Sequence, residues 1–116
     1  MQTDDVVGAL AALAQETRLA IYRLLVQAGP NGLAAGVIAE RLAVAPSSLS
    51  FHLAQLTRAA LIHPRRMSRS LIYAADFATM NGLVAYLTEN CCGGQACPPA
   101  CAPAKAPAAR SRKKSA

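Results

Sequence analysis

The stretch from Val37 to Arg58 constrains the fold of this chain most, because it contains two helical patterns separated by only a few residues. The first pattern ends near Leu42, and Pro46 stands where the first turn of a second helix tolerates a residue without an amide hydrogen. Four apolar residues recur on one face of the second helix: Leu49, Leu53, Leu56 and Ala60. The other face is polar and neutral to basic. Two helices joined by so short a turn are typical of a helix-turn-helix motif.

Helical patterns also precede and follow this motif. A first helix is predicted from Thr3, as its capping residue, and a second from about Glu16 to Ala28, where a Gly-Pro-Asn-Gly run ends it. Two short β-like runs between Ile62 and Ala74 predict a hairpin with three arginines at its tip. A last helix is predicted from Asp76, as its cap, to the Gly93-Gly94 stop. We therefore predict a mainly α fold of about five helices with a small β-hairpin, a winged helix-turn-helix.

Two positions depart from the usual chemistry of such a motif. Ala45 occupies the position where the second helix normally has a polar cap. Ser68 falls where the turn of the wing normally prefers glycine, so either a left-handed backbone there is slightly strained or the turn is of another type. Neither departure argues against the fold.

Length and composition limit the number of domains and the class of protein that this chain can form. At 116 residues the chain is one domain, and a second copy completing the core is expected. Although 53% of the residues are hydrophobic, no apolar run approaches the roughly 18 residues that span a bilayer, and the start of the chain lacks the basic residues of a signal peptide. We therefore expect a cytoplasmic protein without a membrane partner.

The net charge of +6 is distributed unevenly along the chain. Residues 102–116 contain five basic residues, no acidic one and no large apolar side chain, which is typical of a disordered tail. The predicted organisation is a winged helix-turn-helix domain for DNA binding and dimerisation at 1–92, a cysteine-rich ligand-binding segment at 93–101 and a basic tail at 102–116.

All four cysteines of the chain lie between Cys91 and Cys101. In a reducing compartment such a cluster favours metal binding or redox chemistry over a disulfide framework. Thiolate sulfur is soft, so the cluster suits trivalent arsenic or antimony, monovalent copper, zinc or cadmium. Trivalent arsenic takes three thiolates, whereas structural zinc takes four ligands.

The ligands are predicted to be Cys91, Cys92 and Cys97. Adjacent helical residues point about 100° apart, so the last helical turn must unwind before the first two can share an ion, and Gly93-Gly94 supplies the freedom. Cys101 is a spare, a substitute for one of the three, or the fourth ligand of a tetrahedral ion. A redox switch of these thiols stays open. A thiol-dependent enzyme is disfavoured, because the chain has no Cys-x-x-Cys pair.

If the second helix of the motif enters the major groove, its outer face supplies the contacts. The residues expected to reach base edges or phosphates are Ser47, Ser48, Ser50, Phe51, His52 and Gln55. The wing arginines expected to neutralise phosphates or enter the minor groove are Arg65, Arg66 and Arg69. Alternatives stay open for these residues. Ser47 and Ser48 could merely start the helix, Ser50 could turn inward, and His52 could be a buried or half-buried packing residue. Phe51 could pack on a neighbouring helix, and the wing arginines could lie on a solvated turn.

Residues 6 to 92 resemble the ArsR/SmtB-type winged helix-turn-helix repressors. The resemblance rests on three motifs taken together: LAALAQETRLAIYRLL, VIAERLAVAPSSLSFHLAQLTRAALI and RRMSRSLIYAA. It implies a homodimer built on the first and last helices. It also implies that double-stranded operator DNA is bound while the sensor site is empty and released when the site is filled.

The sensor sites of that family differ in how well they match this chain. Members with a site on the third helix carry a Cys-x-Cys type motif there, but the stretch from Leu33 to Val37 has no ligand atom. Zinc-sensing members use His and carboxylates along the last helix, but Asp76 to Asn90 contains no His. The carboxy-terminal thiols resemble arsenic-sensing members, which end their last helix in Asn-Cys-Cys followed by another Cys.

The resemblance therefore implies a metalloregulatory repressor, and not an enzyme, whose effector is trivalent arsenic or antimony, including organoarsenicals. A thiol-based redox-sensing repressor, and a repressor of the same fold that responds to zinc, cadmium or copper, are the alternatives.

Overall fold

The computed structural model describes residues 1–95. Along the chain it has α1 (Thr3–Leu13), α2 (Glu16–Ala28), β1 (Leu33–Ala34), α3 (Ala35–Leu42), α4 (Pro46–Arg58), β2 (Ile62–Met67), β3 (Ser70–Ala75) and α5 (Phe77–Leu87). A short 3₁₀ turn, Cys91–Gly94, follows α5. The predicted winged helix-turn-helix is confirmed, with α3 and α4 as the motif and β2 and β3 as the wing. The predicted basic tail lies outside the described residues.

Polar contacts fix where the helices begin. Asp76 caps α5 as predicted, because its Oδ1 accepts a hydrogen bond from the Thr79 amide at 3.0 Å. The predicted cap of α1 is wrong by one residue. Gln2 is the N-cap, and Asp5 accepts a hydrogen bond from the Gln2 amide at 3.2 Å. Thr3 is the first helical residue, and its hydroxyl is available for a contact with another helix.

One apolar core lies between the five helices and the base of the sheet. The largest fully buried side chains are Ile21, Leu25, Ile38, Leu56, Leu61 and Ile62. Burial of each such side chain stabilises the fold by about 1.5–3 kcal/mol. Leu49, Leu53 and Leu56 bury one face of α4 in this core, so the opposite face of α4 points to solvent.

The sheet has one strand more than the predicted hairpin. Leu33 and Ala34 form β1 and pair with Tyr73 and Ile72 of β3, giving an antiparallel sheet in the order β1-β3-β2. Gly32, with φ 71°, lies so close to the Tyr73 carbonyl that any β-carbon would collide with it. The wing is thereby fastened to the loop that precedes α3.

Candidate DNA interface and thiol turn

The outward face of α4 is a stripe opposite its buried leucines. Four exposed residues at a spacing of four, three and four positions form it: Ser47, Phe51, Ala54 and Arg58. Phe51 is the large apolar residue of this stripe, with 57% of its surface exposed. Ala45 precedes the helix without a side-chain cap, as expected, and leaves this end of α4 unobstructed. The stripe can enter a DNA major groove, which is wide enough for a helix.

The predicted residues on α4 fall into two groups around this stripe. Ser47, Ser48 and Ser50 are exposed, so the interpretation of Ser50 as turned inward is wrong. His52 and Gln55 are half-buried on the flank that faces α1 and α2. Phe51 does not pack on a neighbouring helix, because its ring contacts His52 of the same helix, edge to face at a centroid distance of 5.7 Å.

His52 is held by an arginine from α2. One Arg18 terminal nitrogen lies 3.4 Å from His52 Nδ1, and Arg18 Nε donates to the Ala12 carbonyl of α1 at 2.7 Å. Guanidinium nitrogens only donate, so Nδ1 is the acceptor in this contact. The interpretation of His52 as a packing residue agrees with this contact and with its half-buried position.

The wing arginines occupy three different settings. Arg65 and Arg66 lie on opposite faces of β2, opposite Ile72 and Leu71 of β3, and only Arg69 lies in the turn itself. The prediction that all three lie at the tip is therefore wrong. Arg65 donates to the Asn31 carbonyl at 3.0 Å, which fastens one face of the wing to the loop after α2.

Ser68, the other residue of the wing turn, has φ 55°. Of the two alternatives for this turn, the left-handed backbone is the one present, and a residue with a β-carbon is strained in it.

Two arginines of this surface are not among the predicted DNA contacts, although the sequence places Arg58 on the outer face of α4. Arg58 lies on the outward stripe and donates to the Gln55 side chain at 3.2 Å, and its position seven residues after Phe51 indicates that face. Arg18 has no such local signal, because it meets His52 across 34 positions of sequence. Within residues 1–95 no arginine forms an ion pair with a carboxylate. The exposed guanidiniums of this surface are therefore available to phosphates.

The thiol turn, Cys91–Gly94, lies beyond the end of α5. The predicted continuation of α5 through the cysteines is wrong, because the helix ends at Leu87 and Thr88 closes it by donating its hydroxyl to the Val84 carbonyl at 2.8 Å. Asn90 and Cys92 both have φ 56°, a left-handed conformation that ends any regular helix. The unwinding expected of the last helical turn is thus already present.

This backbone brings the two adjacent sulfurs together. The Sγ atoms of Cys91 and Cys92 are 3.8 Å apart, with Cys91 half-buried and Cys92 exposed. Among the described residues, no third His, Cys, Asp or Glu joins them in a metal-binding group. Cys97 and Cys101 lie outside the described residues, so their predicted role as ligands stays a prediction.

α5 also contacts α1, and both helices expose apolar side chains. The Tyr86 hydroxyl and the Thr3 hydroxyl are hydrogen-bonded at 2.7 Å. Val84 and Leu87 of α5 are 54% and 59% exposed, and Val7 and Leu10 of α1 are also exposed. None of the described helices is long and apolar enough to cross a membrane.

An exposed α4 behind a short turn, flanked by a β-hairpin that carries arginines, defines a winged helix-turn-helix DNA-binding protein. Residues 13–65 match the family model described as a helix-turn-helix domain. The chain is 31% identical over 83 residues to the transcriptional activator HlyU of Vibrio cholerae, a match that spans 72% of this chain and 74% of HlyU. The chain belongs to the ArsR family of winged helix-turn-helix transcriptional regulators.

Solved structures give the same assignment. An ArsR-like transcriptional regulator from Rhodococcus sp. RHA1 superposes with a TM-score of 0.67 at 27% identity, covering 78% of this chain and 82% of its own. The homodimeric winged helix-turn-helix domain of Mb0332 from Mycobacterium bovis superposes with a TM-score of 0.60 at 26% identity, covering 79% of this chain and 85% of its own. These similar proteins are transcriptional regulators, and HlyU is an activator.

Proposed function

We propose that this protein is a homodimeric repressor that leaves operator DNA when trivalent arsenic or antimony, inorganic or organic, binds its carboxy-terminal thiolates. The observation that carries the proposal is the 3.8 Å separation of the Cys91 and Cys92 sulfurs on the turn after α5. Two bonds of about 2.3 Å from one ion to sulfur can span this separation, so the two sulfurs are close enough to bind one soft ion together.

The number of sulfurs separates the candidate ions. The thiol turn supplies two soft ligands, and the third comes from Cys97. Three thiolates satisfy trivalent arsenic or antimony and leave a tetrahedral ion one ligand short. The two glycines of the turn, with φ 65° and 87°, give the chain after Cys92 a backbone that residues with a β-carbon rarely adopt.

DNA binding is proposed to use the α4 stripe and the wing together. The stripe enters the major groove, with Ser47, Phe51 and Arg58 nearest the bases, while Arg66 and Arg69 contact phosphates beside it. Ser48, Ser50 and Gln55 border the stripe. Such a surface binds one half-site, so a dimer binds two.

A second copy of the chain is proposed to cover the exposed apolar side chains of α1 and α5. Large apolar side chains left in water favour association, and the similar Mb0332 domain is homodimeric. Because the thiol turn follows α5 directly, effector binding acts at the border of this interface. The Thr3–Tyr86 hydrogen bond is the contact through which a shift at the end of α5 reaches α1.

The proposal is tested by titrating a protein–DNA complex. A duplex is selected from random sequences by the reduced protein, and arsenite, antimonite, phenylarsenite, zinc and hydrogen peroxide are each added while fluorescence anisotropy reports release. Release by the arsenicals and antimonite, but not by zinc or peroxide, is expected. A Cys91→Ser, Cys92→Ser double variant that is still released by arsenite would contradict the proposal.

The third ligand is identified in the same assay. Cys97→Ser is expected to abolish release, whereas Cys101→Ser is expected to preserve it. Absorption spectroscopy of the arsenite adduct should report three sulfur neighbours in the wild type and two in Cys97→Ser.

A redox switch is the second candidate, favoured by the same proximity of the two thiols. Two thiols and one hydrogen peroxide would give a disulfide and two water molecules, with the sulfurs oxidised and the peroxide reduced. Release by peroxide that is reversed by a reducing thiol, with no release by arsenite, would favour this candidate.

A further inference from the structure

Phe51 is an apolar group at the centre of a surface that is otherwise small or polar. On the outward stripe its neighbours one turn away are Ser47 and Ala54, which are too small to cover it. With 57% of its surface exposed, Phe51 contributes nothing to the core. Burial of such a ring against another molecule would stabilise the complex by removing apolar area from water.

The orientation of the Phe51 ring is set by contacts that begin in another helix. Arg18 joins the Ala12 carbonyl of α1 to His52 Nδ1, and the His52 ring packs edge to face against Phe51 at an interplanar angle of 66°. A guanidinium that bridges two helices restricts the imidazole, and the imidazole restricts the ring beside it. The Phe51 ring is therefore exposed, but these contacts restrict its orientation.

The chemistry of the major groove identifies what such a ring can recognise. Phenylalanine neither donates nor accepts hydrogen bonds, so it cannot distinguish the polar edges of the bases. Among the four bases only thymine presents an apolar group in the major groove, its 5-methyl. A ring placed between Ser47 and Ala54 on a groove-binding helix therefore meets a complementary surface only at a thymine.

We propose that Phe51 is a specificity-determining residue that contacts the 5-methyl group of one thymine in each operator half-site, with His52 and Arg18 as the positioning residues that orient its ring. The proposal rests on DNA binding through α4, and it is independent of the effector.

Replacement of thymine by deoxyuridine tests the contact, because it removes the methyl group and leaves every hydrogen-bonding group of the base pair. A duplex selected by the wild-type protein is remade with each thymine replaced in turn, and Kd is measured by fluorescence anisotropy. Wild-type protein should lose about fourfold in affinity at one position per half-site, the loss that corresponds to one buried methyl group. Phe51→Ala should bind the thymine duplex more weakly and show no further loss at that position.

Matched variants separate recognition from a general loss of binding. Phe51→Leu keeps an apolar contact and should retain a smaller sensitivity to the methyl group. Arg23→Ala removes an exposed positive charge of α2 outside the proposed DNA surface and should leave that sensitivity unchanged. His52→Ala should reduce the thymine-to-deoxyuridine ratio of affinities at this position alone, a readout that a merely structural role would not move. Thermal melting is expected to show that all four variants are folded.

The outcomes distinguish this proposal from the proposed function. If every deoxyuridine substitution affects wild type and Phe51→Ala equally, Phe51 does not read a methyl group and the proposal is overturned. If no duplex is selected at all, DNA recognition by α4 is wrong, and both proposals are overturned. If the methyl effect is found but arsenite releases nothing, the effector is wrong and the role of Phe51 stands.

Discussion

Tyr22 is the residue whose chemistry agrees least with its surroundings. It is only 7% exposed, and within residues 1–95 its hydroxyl has no hydrogen-bond partner. Burial raises the pKa of Tyr22 above 10.0, and the negative charge of Asp76 raises it further. An unpaired buried hydroxyl costs about 1–3 kcal/mol.

Tyr22→Phe should therefore increase the free energy of unfolding by about 1 kcal/mol, measured by urea denaturation at neutral pH. The pKa of Tyr22 is higher in the folded state than in the unfolded state. The wild type therefore keeps its full stability below pH 10.0 and loses stability as the pH rises through the folded-state pKa. The advantage of Tyr22→Phe over the wild type should accordingly grow above pH 10.0. A variant less stable than the wild type at neutral pH would indicate that the hydroxyl has a partner.

Ser68 combines a β-carbon with a left-handed backbone at the turn of the wing. Ser68→Gly should raise the free energy of unfolding by about 0.5–1 kcal/mol, because glycine adopts positive φ without strain. Ser70, the first residue of β3, provides the control. Ser70→Gly should lower stability by a similar amount, because glycine weakens a strand. Thermal melts of the two variants should shift in opposite directions, and shifts of the same sign would contradict the account of the turn.

At the scale of the elements, Gly32 decides whether β1 can join the sheet. Its φ of 71° and its contact with the Tyr73 carbonyl leave no room for a β-carbon. Gly32→Ala should therefore destabilise the fold by about 3 kcal/mol, the sum of backbone strain and a steric displacement of β3. At Gly36 of α3 a β-carbon meets nothing, so Gly36→Ala should stabilise by about 1 kcal/mol through helix propensity. Chemical denaturation of both variants checks the pair, and equal effects would refute the close approach at Gly32.

The same elements explain what the sequence could predict. The bounds of α2 agree with its prediction because apolar periodicity and a Gly-Pro-Asn-Gly stop coincide there. β1 has two residues and hence no periodicity, and it exists only through its contact with β3. The predicted end of α5 is too late, because the sequence signals a stop only at the glycines from Gly93. The helix ends earlier, where the Thr88 hydroxyl donates to the Val84 carbonyl and Asn90 adopts a left-handed backbone.

For the candidate sites, the sequence predicted which residues take part better than it predicted their contacts and backbone conformations. The outward position of Phe51 follows from the spacing of the leucines on α4, since that spacing defines the opposite face. The Arg18–His52 contact does not follow from any local pattern, because it depends on how α2 packs against α4. The approach of the two sulfurs depends on the backbone angles of Cys92 and its neighbours, which residue type alone does not specify.

At the scale of the whole molecule, the exposed apolar surface of α1 and α5 predicts a dimer. Val84→Glu places a charge on that surface and should convert the protein to a monomer, measured by sedimentation equilibrium, because an unpaired charge is costly to bury. DNA affinity should fall with it, since a monomer binds one half-site. Val84→Ile keeps the surface apolar and should remain dimeric. A Val84→Glu protein that sediments as a dimer would place the interface elsewhere.

The Thr3–Tyr86 hydrogen bond offers a test of how the thiol turn and the DNA surface communicate. Tyr86→Phe removes the 2.7 Å bond between α5 and α1 while leaving the cysteines and the α4 stripe untouched. Arsenite should still bind three sulfurs, but the factor by which it weakens DNA binding should fall about fivefold, corresponding to a hydrogen bond worth about 1 kcal/mol within a coupling of about 1–3 kcal/mol. Thr3→Val should give the same result, and the double variant should add little because both changes break one contact. Coupling is reciprocal, so DNA should weaken arsenite binding by the same reduced factor in each variant. An unchanged factor in Tyr86→Phe, with arsenite binding intact, would exclude this bond as the connection.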